Sequence, residues 1–125
     1  MKDASLRAEA RHLLGISRQA KGDAKRAAVE FAASLKDAPS GKQADETTLA
    51  LAESLRLAGD SAAAQAVLAR FAESFPKSAL GDTAQYRIAE LAFAAGNAEA
   101  AEAAYRRVLD DFPKSRLAAH AQYGL

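Results

Sequence analysis

The side chains best suited to chemistry in this sequence are two histidines and a few adjacent acidic residues. His12 and His120 lie near opposite ends of the chain, so a shared metal site would require the fold to bring distant segments together. Asp110 and Asp111 precede Pro113, where a solvated helix end is a simpler interpretation than a pair of catalytic carboxylates. The chain has no cysteine, which excludes disulfides, thiolate catalysis and cysteine-ligated zinc.

Sequence motifs of common catalytic and cofactor sites are missing as well. The chain has no phosphate-binding glycine loop, His-Glu-x-x-His pair, calcium loop or nucleophile elbow. We therefore predict a protein that is not an enzyme and that needs no metal and no cofactor.

Charge and hydropathy restrict the kinds of partner. Seventeen basic and sixteen acidic residues give a net charge of +1, which removes the usual electrostatic reason to expect nucleic acid or a membrane surface. No apolar run approaches the roughly 20 residues that span a bilayer, so we predict no membrane insertion. The first ten residues lack the apolar segment of a signal peptide.

The amino-acid composition favours helices, and these helices would have to position any functional site. Of the 125 residues, 34 are alanine, whereas Ile, Val and Thr together supply 8. Alanine favours helices, and strands favour β-branched and aromatic residues. The sequence therefore predicts an all-α fold.

An internal repeat organises these helices. Glycines and prolines recur at intervals of 37 residues, and each glycine is followed by Asp or Asn: Gly22, Gly59 and Gly96; Pro39, Pro76 and Pro113. The sequence Phe-Pro-Lys-Ser occurs at 75–78 and again at 112–115. Glycine can end a helix, the following Asp or Asn can cap the next one, and proline disfavours helical geometry in the residue before it. This pattern predicts helices at 4–21, 24–37, 43–58, 61–74, 79–95, 98–111 and 115–125.

The repeated pattern resembles the tetratricopeptide repeat family. Small residues occupy the equivalent positions where the two helices of a repeat cross, and larger ones lie beside them: Gly15, Ala52 and Ala89; Ala27, Ala64 and Ala101; Phe31, Leu68 and Tyr105; Leu14, Leu51 and Ile88. The resemblance implies one domain, a right-handed α-solenoid of helical hairpins. Its units would be 8–44, 45–81 and 82–118, with a partial fourth unit at 119–125.

Two further expectations concern context. The long unit with its Phe-Pro-Lys-Ser ending is similar to the repeats of bacterial cell-envelope proteins such as the periplasmic coordinator of the Tol-Pal system, which favours the periplasm or cell envelope over the cytoplasm. The partial fourth unit indicates an excerpt of a longer protein or a capping helix. Because an uncovered apolar end invites association, we also expect end-to-end self-association.

The resemblance further implies a peptide-binding groove lined by the first helix of each repeat. Its residues would be His12, Gln19, Leu49, Glu53, Arg56, Leu57, Tyr86, Arg87, Glu90, Phe93 and Tyr123. Tyr86, Phe93 and Tyr123 could instead pack between neighbouring repeats. An apolar anchor with an acidic flank would suit Arg56 and Arg87, although the groove glutamates argue against a strongly acidic partner.

We therefore predict a non-catalytic protein-protein interaction module whose partner is a protein or peptide. Two alternatives stay open: an architectural spacer between other domains, and an accessory domain of an enzyme whose catalytic part lies elsewhere.

Overall fold

Helices make up the regular structure of this chain. The computed structural model describes residues 2–124, with side chains for residues 3–122, and within that range it contains helices and turns but no strand. The helices in chain order are α1 (Lys2–Ala20), α2 (Ala24–Asp37), α3 (Ala44–Leu57), α4 (Ser61–Ala69), α5 (Phe71–Ser74), α6 (Gly81–Ala94), α7 (Ala98–Asp111) and α8 (Arg116–Gly124). The predicted all-α fold class is confirmed.

One predicted helix is interrupted. The segment 61–74 forms α4 and the single turn α5, with Arg70 between them at φ −93° and ψ −6°. The backbone at Arg70 stays in the helical region, and its carbonyl still accepts a hydrogen bond from Ser74 N at 3.0 Å. The prediction of one continuous helix was wrong, because this segment has neither the glycine nor the proline that would indicate a break. The other helix ends within the described residues lie within two residues of their predicted positions.

Three glycine turns separate the paired helices as predicted. Gly22, Gly59 and Gly96 have φ values of 81°, 90° and 80°, a conformation that glycine adopts without steric cost. In each turn the glycine N–H donates to the carbonyl three residues back, and the next N–H donates to the carbonyl five residues back, at 2.8–3.0 Å. These are the paired bonds of a Schellman motif, which satisfies carbonyls at a helix C-terminus.

The polar residue after each glycine caps the next helix. The Oδ1 atoms of Asp23, Asp60 and Asn97 each accept a hydrogen bond from the backbone N–H three residues ahead, at 3.1–3.2 Å. This confirms the predicted capping role, in which a side-chain oxygen satisfies a free N–H of the first helical turn.

The described structure divides into two compact units, Met1–Val67 and Leu68–Leu125. The boundary falls within α4. In unit 1, Phe31 and three further buried residues form the core, with half-buried side chains packed around them: Ala27, Ala28 and Leu51; Leu35, Ala50, Leu55 and Val67. In unit 2, Tyr105 and Val108 belong to a core of mainly alanine residues: Ala89, Ala92, Ala101, Ala104 and Ala121.

Burial confirms the expected role of the small residues. Ala27, Ala64 and Ala89 are fully buried, and Ala52 and Ala101 are almost so. Gly15 is also buried. Glycine and alanine at these crossings let the helix pairs approach closely, and the larger Phe31 and Tyr105 fill the adjacent space.

Candidate functional site

His12, the first of the predicted groove residues, is buried in unit 1. Its side chain is 6% exposed, and its Nδ1 lies 2.8 Å from Thr47 Oγ1. The single hydroxyl proton of Thr47 is donated to the carbonyl of Gln43 at 2.9 Å, so His12 Nδ1–H must donate to Thr47 Oγ1. The imidazole also packs against the ring of Phe31, with 5.6 Å between centroids. Burial and this bond leave little of the His12 side chain free for a ligand, and its groove role stays a prediction.

The remaining groups suited to chemistry stay separate. His120 is exposed on α8, and its ring centroid lies 6.3 Å from that of Tyr86. Asp110 is exposed, and Asp111 Oδ2 lies 3.9 Å from Arg107 Nε. Among the side chains of residues 3–122, no group of three or more His, Cys, Asp or Glu is placed to hold a metal ion.

The predicted groove residues of unit 1 lie mainly on α3. Leu49 and Glu53 are half-buried, while 54% of Leu57 is exposed. Glu53 Oε1 accepts a hydrogen bond from the guanidinium of Arg56, one turn along the same helix. On α1, Gln19 is half-buried. This face therefore offers one large exposed leucine beside an arginine whose charge is already paired.

The predicted groove residues of unit 2 lie on α6. Tyr86 is half-buried, with its ring edge-on to Tyr105 at 5.8 Å between centroids, so it packs partly into the core. Arg87 Nη1 lies 2.9 Å from Glu90 Oε1 in a pair that repeats the one on α3. Phe93 is 67% exposed, the least packed of these side chains. The predicted groove residue Tyr123 lies outside the residues whose side chains are described.

The surroundings of Tyr105, a buried residue that contacts Tyr86, change the pKa of its phenol. Burial raises the pKa of Tyr105, and the negative charges of an ionised Tyr86 and of Glu90 raise the pKa further. The Tyr105 phenol therefore stays neutral at physiological pH. Glu90 thus contributes negative potential to this face even though Arg87 partly compensates its charge.

Each unit also contains a cavity whose lining includes none of the predicted groove residues. In unit 1 a cavity of about 430 Å³ is lined by parts of α1, α2 and α3 and by the loop before α3, including Glu9, Lys42 and Glu46. In unit 2 a mainly apolar cavity of about 570 Å³ is lined by six large side chains and several alanines: Leu68, Phe71, Phe75, Pro76, Ile88 and Phe112.

The sequence analysis did not predict the cavity of unit 2, although the repeated Phe-Pro-Lys-Ser motif contributes to it. Phe112 of the repeated Phe-Pro-Lys-Ser motif packs against Gly81, where an added Cβ would lie 3.2 Å from the ring. The Ser115 hydroxyl of the same motif donates to Asp82 Oδ2 at 2.5 Å. The motif therefore holds the start of α6 in unit 2, a role that its recurrence alone did not reveal.

Comparison with known proteins identifies the family. A profile of the tetratricopeptide repeat matches residues 49–116 and, in a second register, residues 86–125. The chain belongs to the tetratricopeptide repeat family. Tetratricopeptide repeats are generally non-catalytic and mediate protein-protein interactions. A comparison with curated proteins found no match, and the narrower likeness to the Tol-Pal coordinator stays a prediction.

Membership of the tetratricopeptide repeat family agrees with the described helices and their glycine turns. None of the described helices is long and apolar enough to cross a membrane. The exposed and half-buried side chains of α3 and α6 form one candidate protein-binding face in each unit.

Proposed function

We propose that this tetratricopeptide repeat protein is a non-catalytic interaction module that binds a peptide or a segment of a partner protein on the exposed faces of its first helices. These faces are carried by α1 and α3 in unit 1 and by α6 and α8 in unit 2. The exposure of Phe93 carries the proposal. A phenylalanine that is 67% exposed contributes little to folding, and its burial by a partner would be worth about 1.5–3 kcal/mol.

Leu57 supports the proposal in unit 1. It is 54% exposed on the last turn of α3, next to Arg56. Arginine is enriched among the residues that dominate binding energy at interfaces, and the adjacent leucine offers apolar surface that a partner can bury. The ion pairs Arg56–Glu53 and Arg87–Glu90 join an exposed arginine to a half-buried glutamate on the surface, and surface pairs are worth only about 0.2–1 kcal/mol. A partner can therefore exchange either pair at small cost.

The experiment is selection of ligands from a random peptide library, followed by affinity measurements on purified variants. We expect selected peptides to bind Phe93→Ala or Leu57→Ala more weakly by about 1–3 kcal/mol, with helical content and melting temperature nearly unchanged. Val29→Ala is the matched control, because Val29 is also 67% exposed but lies on the second helix α2. Selected peptides whose affinity is the same for the native chain, Phe93→Ala and Leu57→Ala would overturn the proposed function.

Self-association is a second proposal, and exposed leucines of α1 favour it. Leu6 and Leu14 are 63% and 46% exposed, and apolar surface of this kind promotes association. Sedimentation velocity over a wide concentration range tests the idea: concentration-dependent dimers that Leu6→Glu abolishes would support it. A chain that stays monomeric at millimolar concentration would contradict it.

A further inference from the structure

A stripe of α1 and α3 that lies mainly outside the core of unit 1 is more apolar than the repeat requires. Residues 9, 13, 16 and 20 follow helical spacing on one face of α1, and residues 46, 50, 53 and 57 are their equivalents on α3. Leu13 and Ile16 are 57% and 48% exposed. Their equivalents on α6 are Arg87 and Glu90, so a helix of this fold does not need apolar residues there.

Uncompensated negative charge borders this apolar stripe. Glu9 and Glu46 occupy equivalent positions and are both exposed. Neither carboxylate has an ion pair or hydrogen bond within the described part of the chain, whereas Glu53 is paired with Arg56. Both glutamates line the 430 Å³ cavity of unit 1, whose basic lining residue is Lys42. The cavity therefore has an excess of one negative charge.

Building on the proposed function, we infer that this face of unit 1 docks a basic amphipathic segment of a partner protein. Aliphatic side chains of the segment pack on Leu13, Ile16 and Leu57, and a lysine or arginine enters the cavity between Glu9 and Glu46. Charge complementarity of this kind steers encounter and selects the partner. An acidic segment would be repelled, and an uncharged apolar one would desolvate two carboxylates without compensation.

A two-fold dimer that pairs this face with itself is electrostatically disfavoured, unlike the end-to-end self-association predicted from the sequence. A two-fold dimer places the same patch on both sides of the interface, so Glu9 and Glu46 of each copy would face acidic surface. None of the eight stripe positions is a lysine or arginine, so Lys42 of the cavity lining is the counter-charge that each copy brings to the two glutamates of the other.

The test compares two synthetic helical peptides that share one leucine pattern but carry either lysine or glutamate at every polar position. Binding to the whole chain is measured by fluorescence anisotropy at low and high ionic strength. We expect the lysine peptide to bind more tightly and to lose affinity with salt. The double variant Glu9→Gln/Glu46→Gln should weaken it about fivefold, from the usual strength of two exposed charge pairs.

Control variants elsewhere on the surface distinguish docking on this face from nonspecific adsorption of the lysine peptide. Glu73→Gln/Glu99→Gln removes the same charge from exposed positions of unit 2 and should change affinity less than twofold. Ile16→Ser should weaken the lysine peptide several-fold, whereas Val29→Ser on α2 should not. Equal binding of both peptides, an unchanged affinity of Glu9→Gln/Glu46→Gln, or an equal loss in the control pair would overturn the inference.

The peptide library distinguishes this inference from the proposed function. If selected peptides depend on Leu57 or Phe93 but are acidic, the proposed function stands and the basic partner is wrong. If selected peptides depend on neither residue, both fail. If sedimentation shows a dimer that Ile16→Ser dissociates, a second copy covers the face and the inference is wrong.

Discussion

The ring of Phe31 lies directly over Gly15. A Cβ added to Gly15 would lie 2.5 Å from Phe31 Cε1, closer than any stable contact, and Phe31 is fully buried. The ring therefore has little room to move away. This relationship fixes how closely α1 and α2 approach in unit 1, because the missing side chain of one helix makes space for the aromatic ring of the other.

Gly15→Ala should accordingly destabilise the protein. Alanine improves helix propensity by about 0.5–1 kcal/mol, but overpacking against Phe31 costs about 1–3 kcal/mol, so we expect a net loss of roughly 1–2 kcal/mol in chemical denaturation. Ser17→Ala, at an exposed position of the same helix, is the control and should change stability by no more than about 0.5 kcal/mol. A neutral Gly15→Ala would show that α1 can shift away from α2.

Ala101→Leu should have a similar effect in unit 2. Ala101 is 2% exposed and belongs to the core formed by α6 and α7, so a larger side chain overpacks the helix crossing at a cost of about 1–3 kcal/mol. The free energy of unfolding measures it. Glu99→Ala on the exposed side of α7 should stay within about 0.5 kcal/mol, and an equal effect of both changes would contradict the assigned crossing.

Thr47→Val should cost more than Thr48→Val. The first change leaves the buried His12 Nδ1–H without an acceptor, at about 1–3 kcal/mol. The second removes only a bond from the Thr48 hydroxyl to Ala44 O, a carbonyl of its own helix, and should cost less than about 1 kcal/mol. Both threonines are buried, so the pair is closely matched in denaturation experiments. Equal losses in the free energy of unfolding would mean that the His12–Thr47 hydrogen bond does not stabilise the fold.

Tyr105 should make the protein less stable at alkaline pH. Burial raises the pKa of Tyr105 in the folded chain above its ordinary value of about 10. The folded state therefore holds this proton more tightly, and stability falls as pH rises from about 10 through the folded pKa. Melting temperatures from neutral pH to about pH 11 should fall more steeply for the native chain than for Tyr105→Phe. Parallel curves for the two proteins would contradict the shift.

The local features of the fold were predictable from the sequence. Gly59 and Asp60 illustrate why: a positive φ and an N-terminal cap depend on residue type within one short turn. The buried alanines followed from the repeat, because equivalent positions share the same packing. Both kinds of feature recur, so each occurrence supports the others.

Features that depend on a particular neighbour were not predictable. Leu14 aligns with the buried Leu51 but is 46% exposed, because Leu51 packs into the core of unit 1 and Leu14 does not. His12 aligns with Leu49 and Tyr86, and its hydrogen bond to Thr47 depends on a neighbour that this alignment does not specify. The same holds for the candidate site, since the pairing of Arg56 and Arg87 with glutamates depends on rotamers that a sequence pattern does not specify.

The glycine turns also bear on how the chain is synthesised. The turns at Gly22 and Gly96 join helices that pack on each other, α1 with α2 and α6 with α7, so much of the packing links neighbours in sequence. Chains rich in such contacts fold quickly, and translation is slow in comparison. Gly15 precedes Phe31 in the chain, so α1 has already been synthesised when α2 leaves the ribosome. Each hairpin can thus close during translation, which shortens the time that its aromatic residues spend exposed to other nascent chains.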